Sequence, residues 1–338
     1  MHVHDMNSAG KILRVGLIGA GWVTQHHLAA WKKRADAKVV AVCDPDERNA
    51  RKRAADFDIE HVFGDAREML AGISLDAVDI ASPRETHPEL VRLSAAHGVA
   101  ILCQKPFAPT FAVAETVAAE LPVHQRIMVH ENWRFRPYYR QVRQWLSQDA
   151  LGTPLQCSMT LFSSGMLPDA SGTIPLLQRQ PFMRTLDRML VMEVLIHHLD
   201  TLRFLLGPLK VLDAQLARST PELSGEDAAT ITLRTGSGAR VVLMANVAAA
   251  GYPPALVDRL TIIGDAGSIS LDGPDLRIAG SRTAAITYDL AETYQQSYDA
   301  AIGHFVDCLQ TGAEFETRPA DNLETLRVVE SIYAMAGR

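Results

Sequence analysis

The sequence is poor in the features that would direct a chain to a membrane, a secretory route or a nucleic acid. Its 338 residues hold only four cysteines, Cys43, Cys103, Cys157 and Cys308, far apart and with no C-x-x-C pair. That spacing argues against a disulfide framework, a paired-cysteine zinc site and a dithiol redox motif. Cys43 and Cys103 also end apolar runs, as buried reduced thiols do. No apolar run approaches the ~20 residues needed to cross a bilayer, and Met1-His2-Val3-His4-Asp5 shows no basic-then-apolar leader pattern. The net charge is −6, with the lysines and arginines scattered, so no basic patch invites nucleic acid or an anionic membrane. Internal repeats and low-complexity tracts are missing too. What remains is a chain with no expected nucleic-acid, membrane or metal partner, expected in the cytoplasm. It is 47% hydrophobic and 21% charged, and long enough for two domains.

The first 130 residues repeat one theme of a short apolar run, a turn and a helical stretch. The runs are Arg14–Ile18, Val39–Cys43, Ala77–Ala81, Val99–Cys103 and Ile127–Val129, with helical candidates such as Val23–Arg34, Asp46–Asp56, Asp65–Ala71, His87–His97 and Phe111–Ala119 between them. Strands apolar on both faces and alternating with helices predict a parallel sheet covered on both sides, a doubly wound Rossmann α/β domain over residues 1–132. Beyond that point the strands are longer and alternate more clearly. Ala228–Thr235 and Arg240–Asn246 flank Gly236-Ser237-Gly238 as a hairpin, and Leu256–Gly264 with Ser268–Asp272 suggests a second. Residues 133–338 therefore read as an α+β domain, a large, mainly antiparallel sheet flanked by helices. Residues 163–183, with Gly165, Pro168, Gly172, Pro175 and Pro181, read as a long irregular segment of the kind that serves as a lid, a binding loop or a subunit arm.

The first strand runs into Gly19-Ala20-Gly21-Trp22-Val23-Thr24 and then a helix, the context a dinucleotide site requires. Gly19 makes the tight turn, and Gly21 lets a pyrophosphate approach the backbone beside Trp22 and Val23 at the positive helix end. Thr24 stands where a third glycine is usual. Asp44, at the end of the second strand, is placed to accept from ribose hydroxyls and to repel a 2′-phosphate, which favours NAD over NADP. Two further strand ends fall on the same rim of the sheet. They carry Ser82-Pro83-Arg84-Glu85-Thr86-His87 and Gln104-Lys105-Pro106, so Ser82, His87, Gln104 and Lys105 are expected to face the cofactor.

A second cluster lies in "VMEVLIHHLDTLRFLLG", residues 191–207, whose periodicity is helical and whose Gly207 is a natural stop. Glu193, His197 and Asp200 fall at i, i+4 and i+7 and share one helix face. His198 lies about a hundred degrees round and is either a substrate contact or a core residue.

Taken together the chain resembles the Gfo/Idh/MocA oxidoreductases, named for glucose–fructose oxidoreductase and inositol dehydrogenase. The segments that carry the resemblance are "GLIGAGWVTQHH", "VVAVCDPD", "ASPRETHPEL", "CQKP", "VHENWRFRPYYR", "MEVLIHHLDTLRFLLG" and "RPADNLETLRVVESIYA", in that order. The family's Glu-Lys-Pro motif appears here with Gln104 in place of glutamate. The resemblance implies that Lys105 touches cofactor and substrate and that the Lys105–Pro106 peptide is cis. The family's Asp-x-Gly-x-His-x-x-Asp helix motif appears as Glu193, Leu195, His197 and Asp200, with Leu195 narrowing the pocket where glycine is usual.

The resemblance implies an NAD-dependent aldose or polyol dehydrogenase working as a homodimer or homotetramer. Its variant motifs look most like a branch that oxidises a branched pentose such as D-apiose to its lactone. Its site is then Lys105 on the developing alkoxide, His197 as general base and Glu193 orienting the imidazole or holding a second hydroxyl. Asn132 is expected beside the nicotinamide, with Trp133, Arg134 and His198 toward the sugar. Two other classes stay open at this point. An NAD-dependent glycosidase would oxidise its substrate transiently, and a non-catalytic NAD-binding regulator would lack turnover altogether.

Overall fold

In the computed structural model residues 12–337 are described; the first five residues, read above for a leader, lie outside them. The chain folds as two compact units. Among the described residues, one comprises 12–131 together with Tyr298–Leu323, and the other comprises Asn132–Ser297 and 324–337. The division expected at residue 132 puts Tyr298–Leu323 in the second domain, whereas the structure returns that segment to the first. The physical reason is in its bonds. Val129 N donates to Thr317 O at 2.7 Å, and the Thr317 hydroxyl donates to Val129 O at 2.6 Å. Arg126 donates to the carbonyls of Cys308 and Ala313, and Arg34 pairs with Asp307.

The first unit holds a six-stranded, wholly parallel sheet. Its strands are β1 (Leu13–Ile18), β2 (Ala37–Cys43), β3 (His61–Phe63), β4 (Ala77–Ile80), β5 (Ala100–Gln104) and β6 (Ile127–His130), in the order β3-β2-β1-β4-β5-β6. β4 is buried at all four positions and β5 at four of five, as strands covered on both faces must be. The strand order reverses between β1 and β4, so the loops leaving those two strands form the switch-point crevice of a doubly wound sheet. Asp46 and Asp65 cap the helices Glu47–Phe57 and Ala66–Gly72 by accepting from backbone amides of their first turns.

The second unit holds eight strands: β7 (Pro154–Phe162), β8 (Leu209–Ala217), β9 (Ala228–Thr235), β10 (Arg240–Asn246), β11 (Asp258–Gly264), β12 (Gly267–Asp272), β13 (Asp275–Gly280) and β14 (Ala284–Thr287). Their order is β14-β13-β12-β11-β7-β10-β9-β8, antiparallel throughout except where β10 runs parallel to β7. Both expected hairpins are present as β9–β10 and β11–β12. Alternating burial along β9 and β10 buries one face of the sheet and leaves the other toward solvent. Residues 163–183 are more ordered than an irregular segment. They contain the short helix Pro175–Arg179 and the start of a tight helical turn at Pro181–Thr185. Asp169 closes a turn by accepting from Ser171 and Thr173, and Met166 N donates to Val247 O.

Candidate active site

At the end of β1 the chain turns at Gly19 with φ +101°. A Cβ at Gly19 would lie 2.6 Å from Ala81 O at the end of β4, so only glycine allows these two switch-point loops to meet. A Cβ at Gly21 would meet nothing within 4 Å. The helix Thr24–Lys32 begins beside that open glycine without a side-chain cap, unlike the two helices that follow. Free space and uncapped amides at a helix start fit a dinucleotide pyrophosphate. Trp22 and Val23 are partly exposed on the same turn.

Thr24 is fully buried and donates to Gly21 O at 2.7 Å. Arg53 then donates to Thr24 Oγ1 at 3.0 Å and to Gly21 O at 3.1 Å, a brace for the phosphate turn that the sequence reading misses. Asp44 accepts from Ala20 N at 2.8 Å through one oxygen and from Asp46 N at 2.9 Å through the other. Each carboxylate oxygen keeps acceptor capacity for a ribose hydroxyl.

After β4, Ser82 Oγ pairs with Thr86 Oγ1 at 2.7 Å. His87 is buried, with Nδ1 2.9 Å from Pro106 O and Nε2 3.0 Å from Ser82 O. Its ring ties the loop after β4 to the loop after β5. Carbonyl oxygens only accept, so the ring nitrogen that carries the proton donates to its carbonyl. Gln104 ends β5, Lys105 follows it half-buried, and the Lys105–Pro106 peptide is cis.

In the second unit Asn132 is buried and donates to Ser297 Oγ at 2.7 Å. Trp133 stacks on His197 with ring centres 4.3 Å apart and planes at 17°, and its indole N–H donates to Asp258 at 2.9 Å. The Arg136 guanidinium sits 3.4 Å from the Trp133 ring centre and donates to Asp258 at 2.9 Å. Tyr139 donates to the same carboxylate at 2.9 Å, and His198 Nε2 lies 2.9 Å from its other oxygen. Burial alone would push the Asp258 carboxyl up. The His198 and Arg136 charges, with hydrogen bonds from His198 and Tyr139, hold it well below the usual carboxylate range instead. Arg136 and Asp258 lie outside the expected site residues. Asp258 is about sixty positions from His198 in the chain, and no local pattern links them.

Arg134 and Asp200 form a buried fork, with Nε–Oδ2 2.7 Å and Nη2–Oδ1 2.5 Å, and Thr325 donates to Asp200 at 3.2 Å. The structure thus gathers Trp133, His197 and His198 round one polar centre. It places Arg134 and His198 in buried pairs with Asp200 and Asp258.

The helix carrying His197 differs from the single α-helix expected over 191–207. Residues Leu190–Leu195 form a π-helical turn, and the α-helix proper is Ile196–Leu206, ended by Gly207 at φ +82°. Glu226 holds the start of that wider turn. Its Oε1 accepts from Val191 N at 3.0 Å and from the Tyr333 hydroxyl at 2.6 Å. Burial, followed by the Glu226 charge, pushes the Tyr333 hydroxyl far up, so it stays a donor. Half-buried Glu193 therefore sits in the π turn, ahead of the α-helix that carries His197 and Asp200, and Leu195 is fully enclosed.

Comparison with known proteins bears on both units. The model of the GFO/IDH/MocA oxidoreductase family, NAD-binding Rossmann fold, matches residues 13–132, and that of the GFO/IDH/MocA C-terminal domain matches residues 139–270. The chain is 36% identical to D-apiose dehydrogenase of Paraburkholderia graminis, covering 96% of this chain and 88% of that protein. It is 32% identical to D-apiose dehydrogenase of Rhizobium rhizogenes, covering 96% and 95%. A crystal structure of an oxidoreductase from Agrobacterium radiobacter, in complex with NAD+, L-tartaric acid and magnesium, aligns with TM-score 0.87 at 31% identity over 96% of both chains. A phosphate turn open at Gly21, a wholly parallel first sheet and similarity along almost the whole length lead to one assignment: the chain belongs to the GFO/IDH/MocA family and is an NAD-binding oxidoreductase.

Proposed function

We propose that the protein is an NAD-dependent sugar dehydrogenase whose substrate is an aldose, D-apiose in the first instance, oxidised to its lactone. The near full-length similarity to two D-apiose dehydrogenases carries this reading. Gly19 and Gly21 with the start of the Thr24–Lys32 helix hold the pyrophosphate, and Asp44 holds the adenosine ribose. Ser82, Gln104 and Asn132 line the cofactor side, with His87 bracing the loops. NAD, when bound, supplies the hydride-accepting nicotinamide. Lys105 donates a hydrogen bond to the substrate hydroxyl oxygen and stabilises its negative charge as the proton leaves, an effect of about 3 kcal/mol in comparable sites. His197 takes that proton, a transfer that contributes ~10²–10⁴-fold. Glu193 orients the imidazole or accepts from a second sugar hydroxyl, and Trp133 walls the pocket.

The protein acts in the cytoplasm as a homodimer or homotetramer, the second unit binding substrate. Ile263 on β11 is an exposed apolar side chain on the face of the sheet opposite the buried Leu260 and Ile262, which supports subunit contact through that face. Among the described residues no helix is long and apolar enough to cross a membrane. Light scattering reads the subunit count.

The test is a panel of aldoses and polyols with NAD and with NADP, following absorbance of the reduced cofactor. Net NADH from D-apiose supports the reading; aglycone release from glycosides with no net NADH overturns it. Lys105→Ala and His197→Ala are each expected to lower kcat about a hundredfold or more while NAD binding is retained. Near-normal turnover in either variant removes that residue from the mechanism.

A further inference from the structure

The residue before Lys105 ends a chain of buried hydrogen bonds that crosses the first unit. Asp79, in β4 and wholly buried, receives two groups on Oδ2: Trp31 Nε1 at 2.7 Å and His27 Nδ1 at 2.8 Å. His27 Nε2 lies 3.0 Å from the Gln104 side-chain nitrogen, and the Gln104 side-chain oxygen accepts from Lys105 N at 2.7 Å.

Donors and acceptors can be assigned from both ends. A backbone N–H can only donate, so the Gln104 oxygen faces Lys105 and its NH2 faces His27. An NH2 group donates, so His27 Nε2 accepts. At the other end the Asp79 carboxylate accepts, so His27 Nδ1 carries the proton. Every bond from the Trp31 indole to the Lys105 amide is then satisfied by one neutral tautomer of one histidine.

We infer that Gln104 is a positioning residue for Lys105, and that it locks the Lys105 backbone through His27 held neutral with its proton on Nδ1. The inference rests on the reading of Lys105 as the group at the substrate oxygen. A glutamate at position 104 has the same shape and works differently. Its oxygen toward Lys105 would still accept, but its other oxygen would meet the His27 lone pair. The contact then survives only if the ring takes a second proton or the new carboxyl keeps its own. Glutamine removes that requirement, because its NH2 donates to the neutral ring with no further proton. Near the His27 ring lie the His130 ring at 4.3 Å and the Tyr298 ring at 5.4 Å with His26 stacked beyond it, and the Cys103 thiol, pushed up by burial and then by the charge of Asp79, faces the same carboxylate. None of these takes the place of Gln104 between His27 and the Lys105 amide.

Two measurements test this. In the full-length wild-type protein, a long-range nitrogen–proton spectrum reads the tautomer of His27, identified by cross-relaxation with the Trp31 indole proton that shares its Asp79 oxygen. A single neutral Nδ1–H form at the pH of the activity assay is expected. An Nε2–H form or an imidazolium overturns the inference, whether or not the enzyme oxidises a sugar. The second measurement is kcat and KM against pH for wild type and Gln104→Glu. The variant is expected to gain an alkaline limb, kcat falling about tenfold per pH unit above the new ionisation, with KM changed far less. Superimposable pH profiles overturn the inference. Failure of the wild type to reduce NAD with any sugar overturns the functional reading and leaves the tautomer measurement to decide this one.

Discussion

The indole of Trp133 and the imidazole of His197 lie almost parallel, 17° apart in plane, with their centres separated by 4.3 Å. Arg136 covers the same indole at 3.4 Å and shares the Asp258 carboxylate with the Trp133 N–H. The imidazole is therefore packed against a ring that is itself clamped by a cation and an anion. Such ring pairs contribute about 0.5–1.5 kcal/mol beyond their buried area. Trp133→Leu should lower kcat about tenfold or more through a loosened His197, with NAD affinity unchanged, and Trp133→Phe should recover part of the loss. Steady-state kinetics with NAD titrations check this; an unchanged kcat in Trp133→Leu contradicts the clamp.

The two glycines of the phosphate turn should fail differently. Gly19→Ala sets a Cβ against the Ala81 carbonyl at a strained φ, so the expected result is a destabilised or insoluble protein. Gly21→Ala adds its methyl to open space. It should melt near the wild-type temperature yet bind NAD at least about tenfold more weakly, because the methyl occupies the approach to the pyrophosphate. Differential scanning fluorimetry with and without NAD separates the two.

Replacing Asp44 by serine removes a carboxylate that also anchors Ala20 N. Hydrogen bonds to charged groups contribute about 1.5–3 kcal/mol, so NAD affinity should fall by about tenfold or more. Loss of the charge that repels a 2′-phosphate should narrow the preference for NAD over NADP at the same time. The ratio of kcat/KM for the two cofactors measures it, and an unaltered ratio contradicts the assignment.

Asp258 makes acid stability a direct readout of the second unit. Its folded carboxyl lies below the ordinary carboxylate value near ~3.9, so the unfolded chain binds more protons in that range. The stabilisation is complete above the ordinary value and is lost as pH falls below it. Asp258→Asn leaves Arg136 and His198 buried without their anion, a change that typically costs about 3–5 kcal/mol. Urea unfolding followed from neutral pH to below ~3.9 should show the Asp258 contribution constant down to that value and lost beneath it in the wild type, while the variant starts lower and falls less there.

Burial pushes the Cys43 and Cys157 thiols up to about 12, and Cys103 well above the ordinary thiol value. All three should resist an aromatic disulfide reagent in the native protein at mildly alkaline pH and react once it is unfolded in urea. Fast native labelling of Cys103 would contradict the packing of β5.

The reasons for what was readable along the chain are local. β1, β2, β4 and β5 are apolar over most of their length because both their faces are covered, with the buried Asp79 of β4 an exception, and Gly19, Gly21 and Asp44 fall at the strand ends that the dinucleotide pattern demands. β3 is three half-buried residues at a sheet edge, His61–Phe63, too short to leave a period. The π turn at Leu190–Leu195 depends on Glu226 and Tyr333, distant residues that no helical pattern reports. Gly207 marked the helix end because its left-handed φ is local. The Asp258 cluster joins three separate segments, and the sequence names only their residue types.

The return of Tyr298–Leu323 to the first unit has a practical side. Cutting the chain at residue 132 would strip Val129 of both its bonds to Thr317 and leave Arg126 without the carbonyls of Cys308 and Ala313. An excised cofactor module would thus be a poor reagent. Swapping nucleotide-binding halves between homologous enzymes calls for transplanting two stretches of gene together, the amino-terminal one and this later insert.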